Sequence, residues 1–260
     1  MSSDPFKIDS PTCISFSGGR TSAYMLWRVL QSNGGLPRDA VVCFANTGKE
    51  SEATLEFVDD CRWKWDVKIH WLEFADNSAG YRVVDFNSAS RYGEPFTALI
   101  TKKNYLPNPV ARFCTSDLKV KPIQAFTGIT DVMVGVRADE QGRVPKLRGR
   151  GLLVPLVDAG VTQETVQEFW SKQDFDLDLK YSNGVTPLGN CDLCFLKGPN
   201  QIRSLIADKP ERAVWWAKRE EQIGATFRSD RPSYAAMMRF ATEQQDLFSN
   251  EGSISCFCGD

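Results

Sequence analysis

Cys13-Ile14-Ser15-Phe16-Ser17-Gly18-Gly19-Arg20-Thr21-Ser22-Ala23-Tyr24-Met25-Leu26-Trp27 is the stretch that decides the fold. Residues 13–16 are an apolar, strand-like run and residues 23–27 a helix-like run, with a glycine turn between them. A strand, a glycine turn and a helix start make an anion site. The glycines remove Cβ atoms where backbone N–H groups must approach an oxyanion, and the first helical turn leaves donors without partners at the positive end of the helix dipole. That dipole contributes only about 0.3–1 kcal/mol, so a polyphosphate needs more. Arg20, Thr21 and Ser22 offer a fixed charge and two hydroxyls in the same turn. The pattern is neither the Walker A loop nor the dinucleotide fingerprint.

Outward from this turn, apolar β-branched runs at 12–16, 40–45, 67–73 and 131–136 alternate with helical patterns near 22–31, 52–64 and 116–126. The alternation predicts βαβ units and an α/β fold with a doubly wound, mainly parallel sheet. Ligands of such sheets bind beyond the carboxyl ends of the strands. The glycine turn after the first strand, Asn46-Thr47-Gly48 after the second and Arg137 after the run at 131–136 therefore converge on one crevice. Two stretches break the alternation: 76–96, rich in Asn, Ser, Gly and Arg, and 137–151, with five arginines or lysines among its glycines. Loops of this length are functional or disordered. The second is read as a cover over a nucleotide, with Arg137 and Arg143 on phosphate, sulfate or ribose; a solvated loop is the alternative. Thr162 is placed to cap a helix carrying Val166, Phe169 and Trp170. From 198 the chain reads as helices ending in a Ser/Gly/Cys tail. The expected organisation is a nucleotide-binding α/β domain over 1–185 and a cysteine-bearing helical region with a tail over 186–260.

The chain has 260 residues, 42% of them hydrophobic, enough to bury a full core. Its net charge of −2 provides no global basic field, so any polynucleotide contact has to be a local patch. No run of about 18 apolar residues appears, and MSSDPFKIDS lacks the basic start and apolar centre of a signal peptide. A cytoplasmic protein with no membrane contact is expected. Eight cysteines in such a chain point to thiols, metal ligands or catalytic groups rather than a disulfide framework. Cys114, the pair in Cys191-Asp192-Leu193-Cys194, and one of Cys256 and Cys258 make four thiolates, a set that iron–sulfur clusters and structural zinc both accept. Cys13 and Cys43 fall inside apolar strands and Cys61 on a helix, as small buried hydrophobes. His70, the only histidine, reads as a packed ring. Trp63, Trp65, Trp215 and Trp216 read as packing residues, with base stacking as the alternative. The Lys and Arg residues over 197–219 suit RNA phosphates or a solvated helix face equally.

Ser15-Phe16-Ser17-Gly18-Gly19 with its following helix resembles the PP-loop of ATP pyrophosphatases, and more narrowly that of phosphoadenosine phosphosulfate (PAPS) reductases, which have an adenine nucleotide alpha hydrolase-like fold. Val41-Val42-Cys43-Phe44-Ala45-Asn46-Thr47-Gly48 is similar to that family's second strand with its (D/N)TG ending, and Glu52 to Val58 to the helix that follows. Arg112-Phe113-Cys114-Thr115 with Leu118-Lys119 and Pro122 resembles the segment of its first cluster cysteine. Val134-Gly135-Val136-Arg137-Ala138-Asp139-Glu140 with Arg143 resembles its G-(L/I)-R-x-(D/E) loop, and Cys191 to Cys194 its C-x-x-C. The resemblance implies an adenosine nucleotide (ATP, APS or PAPS, with magnesium as a candidate companion ion) bound by Ser17, Gly18, Gly19, Arg20, Thr21, Ser22, Asn46, Thr47, Gly48, Arg137 and Arg143. It also implies a [4Fe–4S] cluster on Cys114, Cys191, Cys194 and Cys256 (or Cys258), with zinc as the alternative.

Two departures stand out. Phe113 occupies the place of the first cysteine of the family's Cys-Cys pair, and the tail Ser-Cys-Phe-Cys-Gly-Asp lacks the Glu and His of the family's Glu-Cys-Gly-(L/I)-His motif. The reaction expected is reduction of APS or PAPS, with Cys258 (or Cys256) attacking sulfur and sulfite released by a thioredoxin-like reductant. One alternative is ATP-dependent, AMP-forming sulfur transfer to a tRNA or DNA base; another is a non-catalytic nucleotide or redox sensor. A homo-oligomer is left open.

Overall fold

The structure, a computed structural model, describes residues 4–180 and 186–249, with side chains to 243. The chain forms β1 (Thr12–Ser15), α1 (Arg20–Asn33), β2 (Ala40–Asn46), α2 (Glu52–Lys64), β3 (Ile69–Phe74), β4 (Tyr81–Val84) and α3 (Glu94–Lys103). There follow α4 (Phe113–Thr115), a π-helical turn (Ser116–Val120), α5 (Lys121–Thr127), β5 (Asp131–Val134), α6 (Val144–Arg148), α7 (Pro155–Asp158) and α8 (Gln163–Trp170). The last helices are α9 (Pro199–Asp208), α10 (Arg212–Ile223) and α11 (Tyr234–Ser249).

Five strands make one sheet in the order β4-β3-β2-β1-β5. β1, β2, β3 and β5 are parallel, and β4 closes one edge antiparallel to β3. β2 reads Ala-Val-Val-Cys-Phe-Ala-Asn, the near-continuous apolar run of a parallel strand covered on both faces. Alternate residues point to opposite faces, and both faces are buried. Ile14, Val42, Phe44, Trp71 and Met133 pack with Met25 and Leu26 of α1 and Leu55 and Val58 of α2. Cys13, Cys43 and Leu72 pack with Ile123 of α5. Each such aliphatic side chain contributes about 1.5–3 kcal/mol of transfer free energy. From β1 the chain steps outward to β2 and β3, then crosses back to lay β5 on the other side of β1. The strand order therefore reverses at β1, and a crevice opens there at the carboxyl ends.

The chain divides into two compact units, Met1–Lys102 with Arg112–Asp192, and Lys103–Ala111 with Leu193–Asp260, against an expected boundary at 185/186. The first holds the sheet. In the second, Trp216, Phe227, Phe195 and Tyr234 form an aromatic core with ring centroids 5.0–5.8 Å apart. Glu220, buried there, accepts backbone N–H bonds from Phe227 (3.1 Å) and Tyr234 (2.7 Å). Among the described residues no helix is long and apolar enough to cross a membrane.

Candidate functional site

The cleft at the carboxyl ends of β1 and β5 has a volume of about 440 Å³ and is lined by Ser17 to Ser22, Thr54, Gly135, Arg137, Glu140 and Arg143, by Gln163, Val166, Gln167 and Leu177, and by Thr186, Gly189 and Asn190. Its floor is the glycine turn, where the two glycines do different work. Gly18 has φ +76°, and a Cβ there would stand 2.7 Å from Thr54 Cγ2; this glycine is required by packing and by backbone conformation. Gly19 has an ordinary extended conformation, φ −108°, and a Cβ there would meet no protein atom within 4 Å. Its missing side chain leaves open space in the cleft, as a site that admits an oxyanion to the backbone requires. Gly135 completes the packing, because a Cβ on it would lie 2.8 Å from Ser22 Cα.

The polar side chains of the turn depart from the roles expected for them. Ser22 Oγ, buried, accepts from Ser17 N–H (3.2 Å) and from Ser17 Oγ–H (3.0 Å) and donates to Gly19 C=O (2.9 Å), so it braces the turn. Arg20 turns its guanidinium to Asp176, with Nε to Oδ1 at 2.7 Å and Nη2 to Oδ2 at 2.8 Å, and Nη2 also donates to Leu177 C=O. Its backbone carbonyl accepts from Trp170 Nε1–H at 3.0 Å. A bidentate fork suits a carboxylate as well as a phosphate, and here it ties residues 176–177 to the start of α1. Arg137 does face the turn, donating to Thr21 Oγ1 at 3.3 Å, while its Nε and Nη2 hold Asp139. That fork keeps the Asp139 carboxyl below its ordinary range. Arg143 pairs with Glu140 Oε1 at 2.6 Å, and Glu140 Oε2 accepts from Arg137 N–H at 3.0 Å. The arginine-rich loop 137–151 thus borders the cleft through its first half and folds into α6 in its second.

Asn46, Thr47 and Gly48 do not line the cleft. Asn46 Nδ2 donates to Glu73 Oε1 (2.7 Å) and Ser90 C=O (2.8 Å), and Asn46 Oδ1 accepts from Gly48 N–H (3.0 Å). Thr47 donates N–H and Oγ–H to Glu50 Oε2 at 2.9 and 2.7 Å. At Gly48, with φ +75°, a Cβ would come within 3.0 Å of Gly93 Cα. The polar groups of this second turn are committed to one another and to Glu50, Glu73 and Ser90.

Cys114 lies on α4 and Cys191 in the turn after residues 186–190, its Sγ 3.5 Å from Thr47 Oγ1. Cys194 falls in the second unit, and Cys256 and Cys258 lie outside the described residues. Among the described residues no group of three or more His, Cys, Asp or Glu side chains is arranged to hold a metal ion. The fourth member of the expected thiolate set lies outside the described residues. Cys13, Cys43 and Cys61 are buried, and burial raises the Cys61 thiol pKa far above its ordinary value. His70 is half-buried against Phe126, ring centroids 4.9 Å apart. Trp65 and Trp216 are packing residues, whereas Trp63 is exposed. Sequence reasoning did not anticipate Thr54, Gln163 or Gln167 in the cleft. The available signal was their spacing after the Ser51 and Thr162 helix starts.

The fold and cleft define a mixed α/β protein with a mostly parallel five-stranded sheet and a glycine turn at the point where its strand order reverses. The chain belongs to the family of the uncharacterized nin region protein ORF290 of Escherichia phage lambda, with which it is 31% identical over 210 residues, 75% of this chain and 69% of that protein. No family model matches.

Proposed function

We propose that the chain is a doubly wound PP-loop enzyme of the PAPS reductase type, binding an adenosine nucleotide in the β1–β5 cleft. The observation that carries this reading is Gly19, a glycine in unstrained conformation at the carboxyl end of the switch-point strand, whose absent Cβ leaves space for a ligand. Backbone N–H groups of the turn and the first turn of α1 receive phosphate oxygens, and Arg137 and Arg143 add charge as they exchange carboxylate partners for phosphate. Arg20 positions the Asp176–Leu177 wall.

The reaction proposed is thiol-dependent reduction of APS or PAPS in the cytoplasm. A thiolate of Cys258 or Cys256 attacks the sulfate sulfur, the sulfur–oxygen bond to the phosphate breaks, and AMP or its 3′-phosphate leaves with the electron pair. A second thiol, from a thioredoxin-like reductant, attacks the cysteine sulfur and releases sulfite, leaving a disulfide. Two thiols are oxidised and sulfur is reduced by two electrons.

The test offers ATP, APS and PAPS separately to anaerobically purified protein with excess dithiol and identifies products. Sulfite from APS or PAPS, lost in the Cys256→Ser, Cys258→Ser double variant, is the result expected. AMP formed from ATP without sulfite would replace reduction by adenylation chemistry.

A further inference from the structure

We infer that the α8 wall of the cleft is a nucleobase subsite in which the side-chain amides of Gln163 and Gln167 read an adenine lying against Val166 and Leu177; this rests on the nucleotide reading above. The lining sorts into two chemistries. Arg137 and Arg143 stand with the glycine turn and the Arg20 guanidinium is committed to Asp176 and the Leu177 carbonyl, whereas the α8 residues of the lining, Gln163, Val166 and Gln167, carry no charge. Positions i, i+3 and i+4 share one helix face. The acidic residues of this helix, Glu164 and Glu168, are not part of the lining and are exposed. This part of the cleft therefore suits a neutral, planar group rather than a second anion. Val166 and Leu177 are core residues, almost fully buried, whose edges make this part of the lining apolar. Among the described residues neither glutamine amide has a hydrogen-bond partner, although both border the cleft.

A carboxamide presents a donor and an acceptor side by side. Adenine offers the matching pair on both of its edges, N6–H with N1 and N6–H with N7. Two glutamines can take both. In the same pose guanine offers a donor and an acceptor on its N1–H/O6 edge but two acceptors, N7 and O6, on the other; the second amide is left with one unmet donor, and selectivity comes from that mismatch.

The test measures binding of AMP, GMP and pyrophosphate by calorimetry to wild type, Gln163→Leu and Gln167→Leu, with thermal unfolding as the check on folding. AMP is used because ATP, APS and PAPS all contain its adenosine. Wild type is expected to prefer AMP over GMP. Each variant is expected to lose about tenfold in AMP affinity, to narrow the AMP–GMP gap, and to bind pyrophosphate as wild type does. Unchanged AMP affinity in both folded variants, or equal losses for AMP and pyrophosphate, would overturn the base subsite while leaving nucleotide binding intact. Wild type that binds neither AMP nor pyrophosphate would overturn the nucleotide reading and this inference with it.

Discussion

Ser22 and Asn46 show how a polar residue expected to hold a ligand can be committed to the protein instead: Ser22 braces the turn of the cleft, and Asn46 lies outside the cleft. Both stand at the carboxyl edge of the sheet, where the strand–turn–helix pattern places them. A hydroxyl beside a glycine turn can face ligand or backbone, and the choice depends on Ser17 and Gly19 geometry that no spacing rule encodes. Asn46 is committed by Glu73 and Ser90, contributed by β3 and by the segment read from sequence as an irregular loop. His70 is the residue where environment has a pH consequence. Burial, and then the positive charge of Lys68, holds its pKa below the ordinary 6.5. As pH falls through that value the unfolded chain takes up a proton and the folded chain does not, so stability present above the unfolded pKa is lost below it. The urea midpoint should fall between about pH 7.5 and pH 5.5, and His70→Phe should fall less over the same range. An equal fall in both would remove His70 as a cause.

Among the elements, those with strong periodicity were legible: β1, β2, α1 and α2 lie within a few residues of their expected positions, and α8 begins at the Thr162 cap. β4 was not. Its four residues, Tyr-Arg-Val-Val, form an edge strand with two exposed side chains, too short and too polar on its outer side to stand out from the Asn/Ser/Gly loop around it. α6 is similarly short, one turn inside an arginine-rich stretch. The helix expected at 116–126 runs through a π-turn, a wider coil with no marker in the residue pattern. The α8 cap carries a prediction of its own. Thr162 and Thr165 form a reciprocal capping box, and α8 brings Trp170 and Phe169 onto Trp27 and Phe57. Thr162→Ala should destabilise the protein by about 1 kcal/mol in urea titration. A change below about 0.3 kcal/mol would mean the aromatic contacts hold the helix without its cap.

At the scale of the whole molecule, the position of the cleft follows from the parallel sheet and its reversal at β1; the alternation of apolar runs indicated the mainly parallel sheet, whereas the strand order is visible only in the structure. The cysteine set read from the sequence includes a tail member that lies outside the described residues. The proposed function rests on a glycine turn whose second glycine leaves open space in the cleft, where a side chain would meet no protein atom within 4 Å. Gly18→Ala, at a left-handed position with a 2.7 Å clash, should lower thermal stability and serves as the contrast. The most direct measurement is calorimetry of ATP, APS and PAPS against wild type and Gly19→Val. Saturable binding of at least one nucleotide by wild type, lost in a Gly19→Val protein that unfolds at the wild-type temperature, is the predicted result. A folded Gly19→Val protein that binds the same nucleotide with unchanged affinity would contradict it.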